Sequence, residues 1–209
     1  KTFEKALTIE KNYAAVYFDK GLALAHLGRH EDAIIAFNKN IDLDAGNDQA
    51  YYNKGLSLAA TGRQTDAIDA FDRMLHIDPL SIEGGLYRGR ALASLSRYND
   101  AIEAYTRILE IDRSNAEAWF LKGCALYALG AYEDAIEAFA RALEIRPDYT
   151  QAFFEKGRSL FQLGMYKEAA LSFENAHLIE PKNIDVLYQK GRALIRLKRY
   201  EDAFAAFDP

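Results

Sequence analysis

One cysteine, four prolines, two methionines and one tryptophan in 209 residues are few, and each scarcity excludes something. A lone thiol, Cys124, cannot close an internal disulfide, which fits a reducing compartment such as the cytoplasm. Pro79, Pro147, Pro181 and Pro209 are so sparse that long stretches are free to be helical. No apolar run approaches the ~18 residues that a membrane-spanning helix requires, and no signal peptide is visible. No Ser/Gly-rich linker, low-complexity tract or long charge run divides the chain. The net charge of −5 leaves no basic surplus to neutralise phosphates, which argues against a general nucleic-acid role. Half the residues are apolar and 27% are charged, the chemistry of a folded chain rather than a disordered one.

Catalytic and metal-binding groupings are equally scarce. The four histidines are His26, His30, His76 and His177. His26 and His30 are four apart, but Gly28 interrupts the helix between them, so they do not form an i, i+4 ligand pair. Cys124 has no histidine at a neighbouring position to activate it. The acidic pairs Glu133–Asp134 and Glu201–Asp202 open helices, where negative charge is favourable. No Gly-rich phosphate loop follows a strand. The expectation is therefore a non-enzymatic chain with no catalytic residue, no metal and no cofactor.

What is present is a repeat. Gly21, Gly55, Gly89, Gly123, Gly157 and Gly191 stand 34 residues apart. So do Ala33, Ala67, Ala101, Ala135, Ala169 and Ala203; Phe37, Phe71, Tyr105, Phe139, Phe173 and Phe207; and Leu24, Leu58, Leu92, Leu126, Leu160 and Leu194. In the unit 116–149, Tyr132, Ala135, Ile136, Phe139, Ala142 and Leu143 follow one face of a helix. The preceding segment is apolar on two faces: Trp119, Gly123, Leu126 and Leu129 form one, Phe120, Cys124 and Tyr127 the other. A helix with two apolar faces is either covered twice or displays one of them.

The punctuation predicts two helices per unit. Asn47, Ser81, Asn115 and Asn183 precede the first helix, where a short polar side chain accepts an orphan backbone N–H. Gly28, Gly62, Gly130 and Gly164 follow it, where a left-handed residue ends a helix at little cost. Pro79, Pro147 and Pro181 follow the second helix. The small residues Gly123 and Ala135 are expected to face one another and let the two helices approach closely.

These residues resemble the tetratricopeptide repeat, whose 34-residue pattern is Trp-x2-Leu-Gly-x2-Tyr, then Ala-x3-Phe, then Pro. Trp119, Gly123, Ala135, Phe139 and Pro147 match it. The likeness divides the chain into units 14–47, 48–81, 82–115, 116–149 and 150–183 and a truncated unit 184–209. Residues 1–13 then carry the second helix of a preceding repeat. The departures are a basic residue in place of the family's Leu (Lys20, Lys54, Arg88, Lys122, Lys156, Lys190) and Gly85 at a Trp position beside Gly84. The paired glycines predict a loose or kinked helix, and the basic stems are expected to lie along their helices with the charge in water.

The resemblance implies an all-α, right-handed superhelical solenoid of stacked antiparallel helix pairs. It also implies a groove, lined by the first helices, that binds a peptide or protein. Carried onto this chain, the groove falls on Tyr52, Asn53, Tyr87, Arg90, Phe120, Cys124, Tyr127, Phe154, Arg158, Phe161, Tyr188, Arg192 and Arg196. The aromatic positions Phe18, Tyr52, Phe120, Phe154 and Tyr188 either line that groove or pack between adjacent first helices. Arginines among aromatics suit a partner with acidic and apolar residues, although Glu83, Glu117 and Asp185 lie on the same helices and can pair with them. The two-carboxylate clamp of the family's chaperone binders is absent. Asn53 fits its middle place, but Phe18, Leu22, Glu83 and Tyr87 occupy the others. The asparagine ladder of the sugar-transferring relatives is absent too. The reading is a protein-interaction scaffold. Its alternatives are the recognition array of a larger enzyme or signalling protein, and self-assembly end to end through Ala203, Phe204 and Phe207.

Overall fold

The computed structural model describes residues 13–207, all helix and connecting turn. The helix expected within residues 1–13 lies outside the described residues, apart from Tyr13, which precedes the first helix. Twelve helices follow in the described chain: α1 (Ala14–His26), α2 (His30–Leu43), α3 (Asp48–Ala60), α4 (Gln64–Ile77), α5 (Ile82–Ser94), α6 (Tyr98–Ile111), α7 (Ala116–Ala128), α8 (Tyr132–Ile145), α9 (Thr150–Gln162), α10 (Tyr166–Ile179), α11 (Ile184–Arg196) and α12 (Tyr200–Phe207). Odd-numbered helices are the first of each pair and even-numbered ones the second. The chain is an all-α solenoid of such pairs, and it divides into two compact units, residues 1–104 and 105–209.

In the N-terminal unit, α1 pairs with α2 and α3 with α4, while α2 packs on α3 and α4 on α5. In the C-terminal unit, α7 pairs with α8, α9 with α10 and α11 with α12, and α8 packs on α9 and α10 on α11. Each hairpin thus covers the apolar face its neighbour leaves open, which is how a repeat too small for a core of its own becomes stable. Adjacent first helices also touch: α1 with α3, α3 with α5, α7 with α9 and α9 with α11.

The hairpin closes on an aromatic ring. Phe37, Phe71, Phe139 and Phe173 are fully buried. A Cβ on Gly123 would lie 2.6 Å from Cε1 of Phe139, and one on Gly55 would lie 2.6 Å from Cε1 of Phe71. The glycine makes room for the ring sixteen residues on, and Ala135, the small residue expected at the same crossing, is fully buried.

The caps form as their chemistry requires. Asn47, Asn115 and Asn183 accept from the backbone N–H of Ala50, Ala118 and Val186, and Ser81 Oγ accepts from that of Gly84. Gly28, Gly62, Gly130 and Gly164 have φ between 73° and 79°. Two equivalent positions lack glycine: Ser96 and Lys198 take φ 59° and 61°. The paired glycines Gly84–Gly85 do not interrupt the helix. Helix α5 runs unbroken through both glycines, and Met74 Sδ occupies the space beside Gly84, 2.8 Å from where its Cβ would be.

Arg29, Arg63, Arg97 and Arg199 stand just before second helices, and each bonds the Asp three residues later through Nε at 2.7–2.8 Å. These half-exposed pairs are worth about 0–1 kcal/mol each. The basic residues at the family's Leu position do more than lie along their helices. Arg88 pairs with Asp72 and Lys190 with Glu174, each on the second helix of the preceding hairpin.

Candidate functional site

The first helices carry every residue expected in the groove. In the N-terminal unit, Tyr52 on α3 and Tyr87 on α5 meet edge to face at 5.6 Å, and Tyr87 stacks on the buried Phe71 at 6.1 Å. Burial, the nearby Tyr87 phenol and Glu83 push the Tyr52 hydroxyl up to about 12, so it is a neutral donor. Arg90 lies over the Tyr87 ring at 5.2 Å. Asn53 turns back on its own helix, donating Nδ2 to the Gln49 carbonyl at 2.8 Å.

In the C-terminal unit the aromatic positions divide into two kinds. Phe120, Phe154 and Tyr188 each lean on the second-helix ring of their own hairpin, with centroids 5.8, 5.8 and 6.3 Å from Phe139, Phe173 and Phe207. The same holds for Phe18 on Phe37 and Tyr52 on Phe71 in the other unit. This row therefore borders the hairpin core, from half-buried Phe120 and Phe154 to exposed Tyr188, and it also reaches the next first helix, where Tyr52 lies closer to Tyr87 than to Phe71. Tyr127 and Phe161, one helical turn or two further on, are braced edge to face by Tyr132 and Tyr166 at the start of the following helices, at 5.4 and 5.1 Å.

Arginines cross from one first helix to the ring on the previous one. Arg158 on α9 lies 4.7 Å over the Tyr127 ring of α7 and donates through Nη2 to the Tyr127 hydroxyl at 3.1 Å. Its Nη1 is held by both oxygens of Glu155, at 3.1 and 3.0 Å. Burial disfavours that guanidinium, but Glu155 and Tyr127 outweigh it and its pKa is raised further. Arg192 on α11 repeats the placement, 4.9 Å over Phe161 of α9, with Tyr188 at 5.8 Å. Arg196, one turn later, lies 6.0 Å over Phe161 and 5.5 Å over Tyr166. The partners differ: Arg192 donates only to Gln189 Oε1 at 2.9 Å, and no carboxylate pairs with Arg192 or Arg196 among the described residues.

Cys124 is half-buried on α7. Burial, with Glu155 nearby, pushes its thiol up to about 12 against the opposing pull of Arg158. It is a protonated, apolar lining group and has no nucleophilic character at neutral pH. Among the described residues no three His, Cys, Asp or Glu side chains gather to hold a metal, and no helix is long and apolar enough to cross a membrane.

Sequence reasoning missed Glu155, Gln162 and Gln189 as partners, and Tyr132 and Tyr166 as braces. Gln162 Nε2 reaches the Tyr127 hydroxyl at 3.4 Å. The signal for the braces was available: Tyr98, Tyr132, Tyr166 and Tyr200 recur at the same 34-residue interval. A second concavity of about 760 Å³ lies away from these residues, among α10, α11 and α12, floored by Leu171, Leu187, Leu194 and Leu197.

The repeat seen in this geometry has a sequence counterpart. Tetratricopeptide-repeat models match residues 2–48, 41–82 and 86–150, and a further one matches residues 160–208. This chain belongs to the tetratricopeptide-repeat family. No curated protein matches the sequence closely. Among solved structures, the tetratricopeptide-repeat chain superimposes on YrrB, described as a TPR protein with an unusual peptide-binding site, at TM-score 0.76 and 24% identity, over 91% of this chain and 98% of that one. MamA is similar at TM-score 0.76 and 25% identity, over 81% and 92% of the two chains. MamA from Desulfovibrio magneticus RS-1 has TM-score 0.76 and 21% identity, over 81% and 96%. Proteins of the tetratricopeptide-repeat family are generally protein-interaction scaffolds, whose stacked hairpins present extended binding surfaces.

Proposed function

We propose that this scaffold binds a peptide or protein segment along the face of its first helices. In the C-terminal unit the contact residues are Phe120, Cys124, Tyr127, Phe154, Arg158, Phe161, Tyr188, Arg192 and Arg196. In the N-terminal unit they are Tyr52, Asn53, Tyr87 and Arg90. The observation that carries the reading is the crossing of Arg158 onto Tyr127 and of Arg192 onto Phe161, which joins side chains of successive repeats into one partly exposed aromatic and cationic surface. Half-buried rings supply apolar contact area at low entropic cost, and guanidiniums supply directional donors, the pairing that dominates binding hot spots.

The partner that suits such a surface carries apolar side chains with acidic groups among them. Peptides selected from a random displayed library against the whole chain test the reading, with their footprint mapped by amide chemical shifts. Shifts concentrated on α7, α9 and α11, and lost when Phe161 is changed to Ala, are expected. A footprint on α10 and α12 around Leu171 and Leu197 would move the binding face to the other concavity and overturn the proposal.

A further inference from the structure

We propose that Arg192 and Arg196 receive a phosphorylated side chain of the bound segment, an inference that rests on the first helices being the binding face. The contrast with Arg158 is the starting point. Three arginines lie over rings of this face in the C-terminal unit. Arg158 is complete: both oxygens of Glu155 and the Tyr127 hydroxyl occupy its fork. In this molecule's own example, one carboxylate takes Nη1 of a guanidinium and a hydroxyl takes Nη2.

Arg192 and Arg196 are not complete. They stand one helical turn apart on α11, so they share a face of that helix. Both guanidiniums lie within 6.0 Å of the centre of the same Phe161 ring. Only Gln189 accepts from Arg192, which leaves most of its five donors unused. Of the acidic residues expected to pair with the arginines, Asp185 is the one on α11, and it pairs with neither; Asp202 on α12 is taken by Arg199. Both arginines are exposed.

Two adjacent positive charges with no counter-charge among the described residues call for an anion of about two charges. A phosphate monoester carries about −1.5 to −2 at neutral pH and offers three strong acceptor oxygens, enough to engage two forks at once. A carboxylate carries half that charge and, as Glu155 does, engages one guanidinium. The Phe161 ring beneath holds the guanidinium planes by cation–π contact and limits the freedom lost when the anion arrives. Of the basic residues flanking the pair, Lys190 is taken by Glu174 and Arg199 by Asp202.

The test titrates the whole chain with phenyl phosphate, phenyl sulfate and phenylacetate while following arginine Nε–H resonances. Phenyl sulfate has the shape of phenyl phosphate with one charge, and phenylacetate stands for a carboxylate side chain. Saturable shifts of Arg192 and Arg196 are expected, with phenyl phosphate about tenfold tighter than either monoanion, the weight of one charge-assisted hydrogen bond. Arg141, already paired with Glu144, serves as the in-molecule control. Read from the phosphorus resonance of phenyl phosphate, R192Q/R196Q is expected to abolish binding at an unchanged melting temperature, while R141Q leaves it intact. Equal affinity for phosphate and sulfate, a response that survives R192Q/R196Q, or no saturable shift would overturn the proposal. Tighter binding of a short single-stranded oligonucleotide through the same two resonances would also overturn it, because the phosphate source would then be nucleic acid. Selected peptides that footprint on α7, α9 and α11 but ignore phosphorylation would remove this inference alone and leave the binding face standing.

Discussion

Phe173 occupies the space that a side chain on Gly157 would need: a Cβ there would lie 2.6 Å from the ring's Cε1. The ring is fully buried and cannot swing aside. Gly157→Ala gains about 1 kcal/mol of helix propensity but overpacks the crossing by about 1–3 kcal/mol. The expected outcome is a net loss of stability in urea denaturation, recovered in part by the double change with Phe173→Leu. A G157A chain more stable than the parent would show that the hairpin closes in some other way.

Ser96 and Lys198 hold a left-handed conformation that glycine adopts at the four equivalent turns. A side chain in that region costs about 1–2 kcal/mol. Ser96→Gly and Lys198→Gly should each therefore raise stability by about 1 kcal/mol, less whatever the more flexible unfolded chain takes back. Thermal unfolding of the two variants checks this, and a fall in melting temperature for both would contradict it.

Ser57 Oγ is buried on α3 with no hydrogen-bond partner. Repeats one, three, four and six carry Ala23, Ala91, Ala125 and Ala193 at the same place. Removing an unsatisfied buried hydroxyl relieves a desolvation penalty of about 1–3 kcal/mol. S57A is expected to be stabilised, by an increase in the urea midpoint without a change in slope; a destabilised variant would mean that the hydroxyl has an acceptor in solution.

Cys124 makes a prediction about pH. Its thiol is raised in the folded state to about 12, mainly by burial, so the folded chain holds a proton that the unfolded chain releases at its ordinary value near 8.5. The contribution to stability is full below that ordinary value and is lost as pH climbs toward 12. Native alkylation by iodoacetamide at pH 8 should be far slower than in urea. A C124A chain should lose less stability between pH 8 and 11 than the parent, and equal slopes would contradict the assignment.

The 34-residue ladders made the hairpin legible because each rung answers a local need. Asn and Ser cap, glycine turns left-handed, and proline stands beyond the second helix, all within a few residues of chain. The same ladders placed the groove positions on the first helices but left their contacts open. The row Phe120, Phe154 and Tyr188 turned out to lean inward on the second helix, because the missing side chains of Gly123, Gly157 and Gly191 bring that helix's rings within reach. Pattern also suggested a loose or kinked helix at Gly84–Gly85, where Met74 fills the gap and the helix continues without a break.

By itself, then, the sequence determined the period, the helices, their caps and turns, and which residues stand on the first helix of each pair, because those follow from propensity and spacing along one chain. Tertiary structure decided which of the arginines are spent. Arg158 and Arg192 occupy the same place in successive repeats, yet one has Glu155 and the Tyr127 hydroxyl in its fork, while the other meets Gln189 and the bare ring of Phe161. The exchange of Glu155 for Gln189 lies three residues away on the same helix, whereas the meeting with Tyr127 or Phe161 arises only where side chains of neighbouring helices come together. Together they set how much positive charge is left to attract a partner.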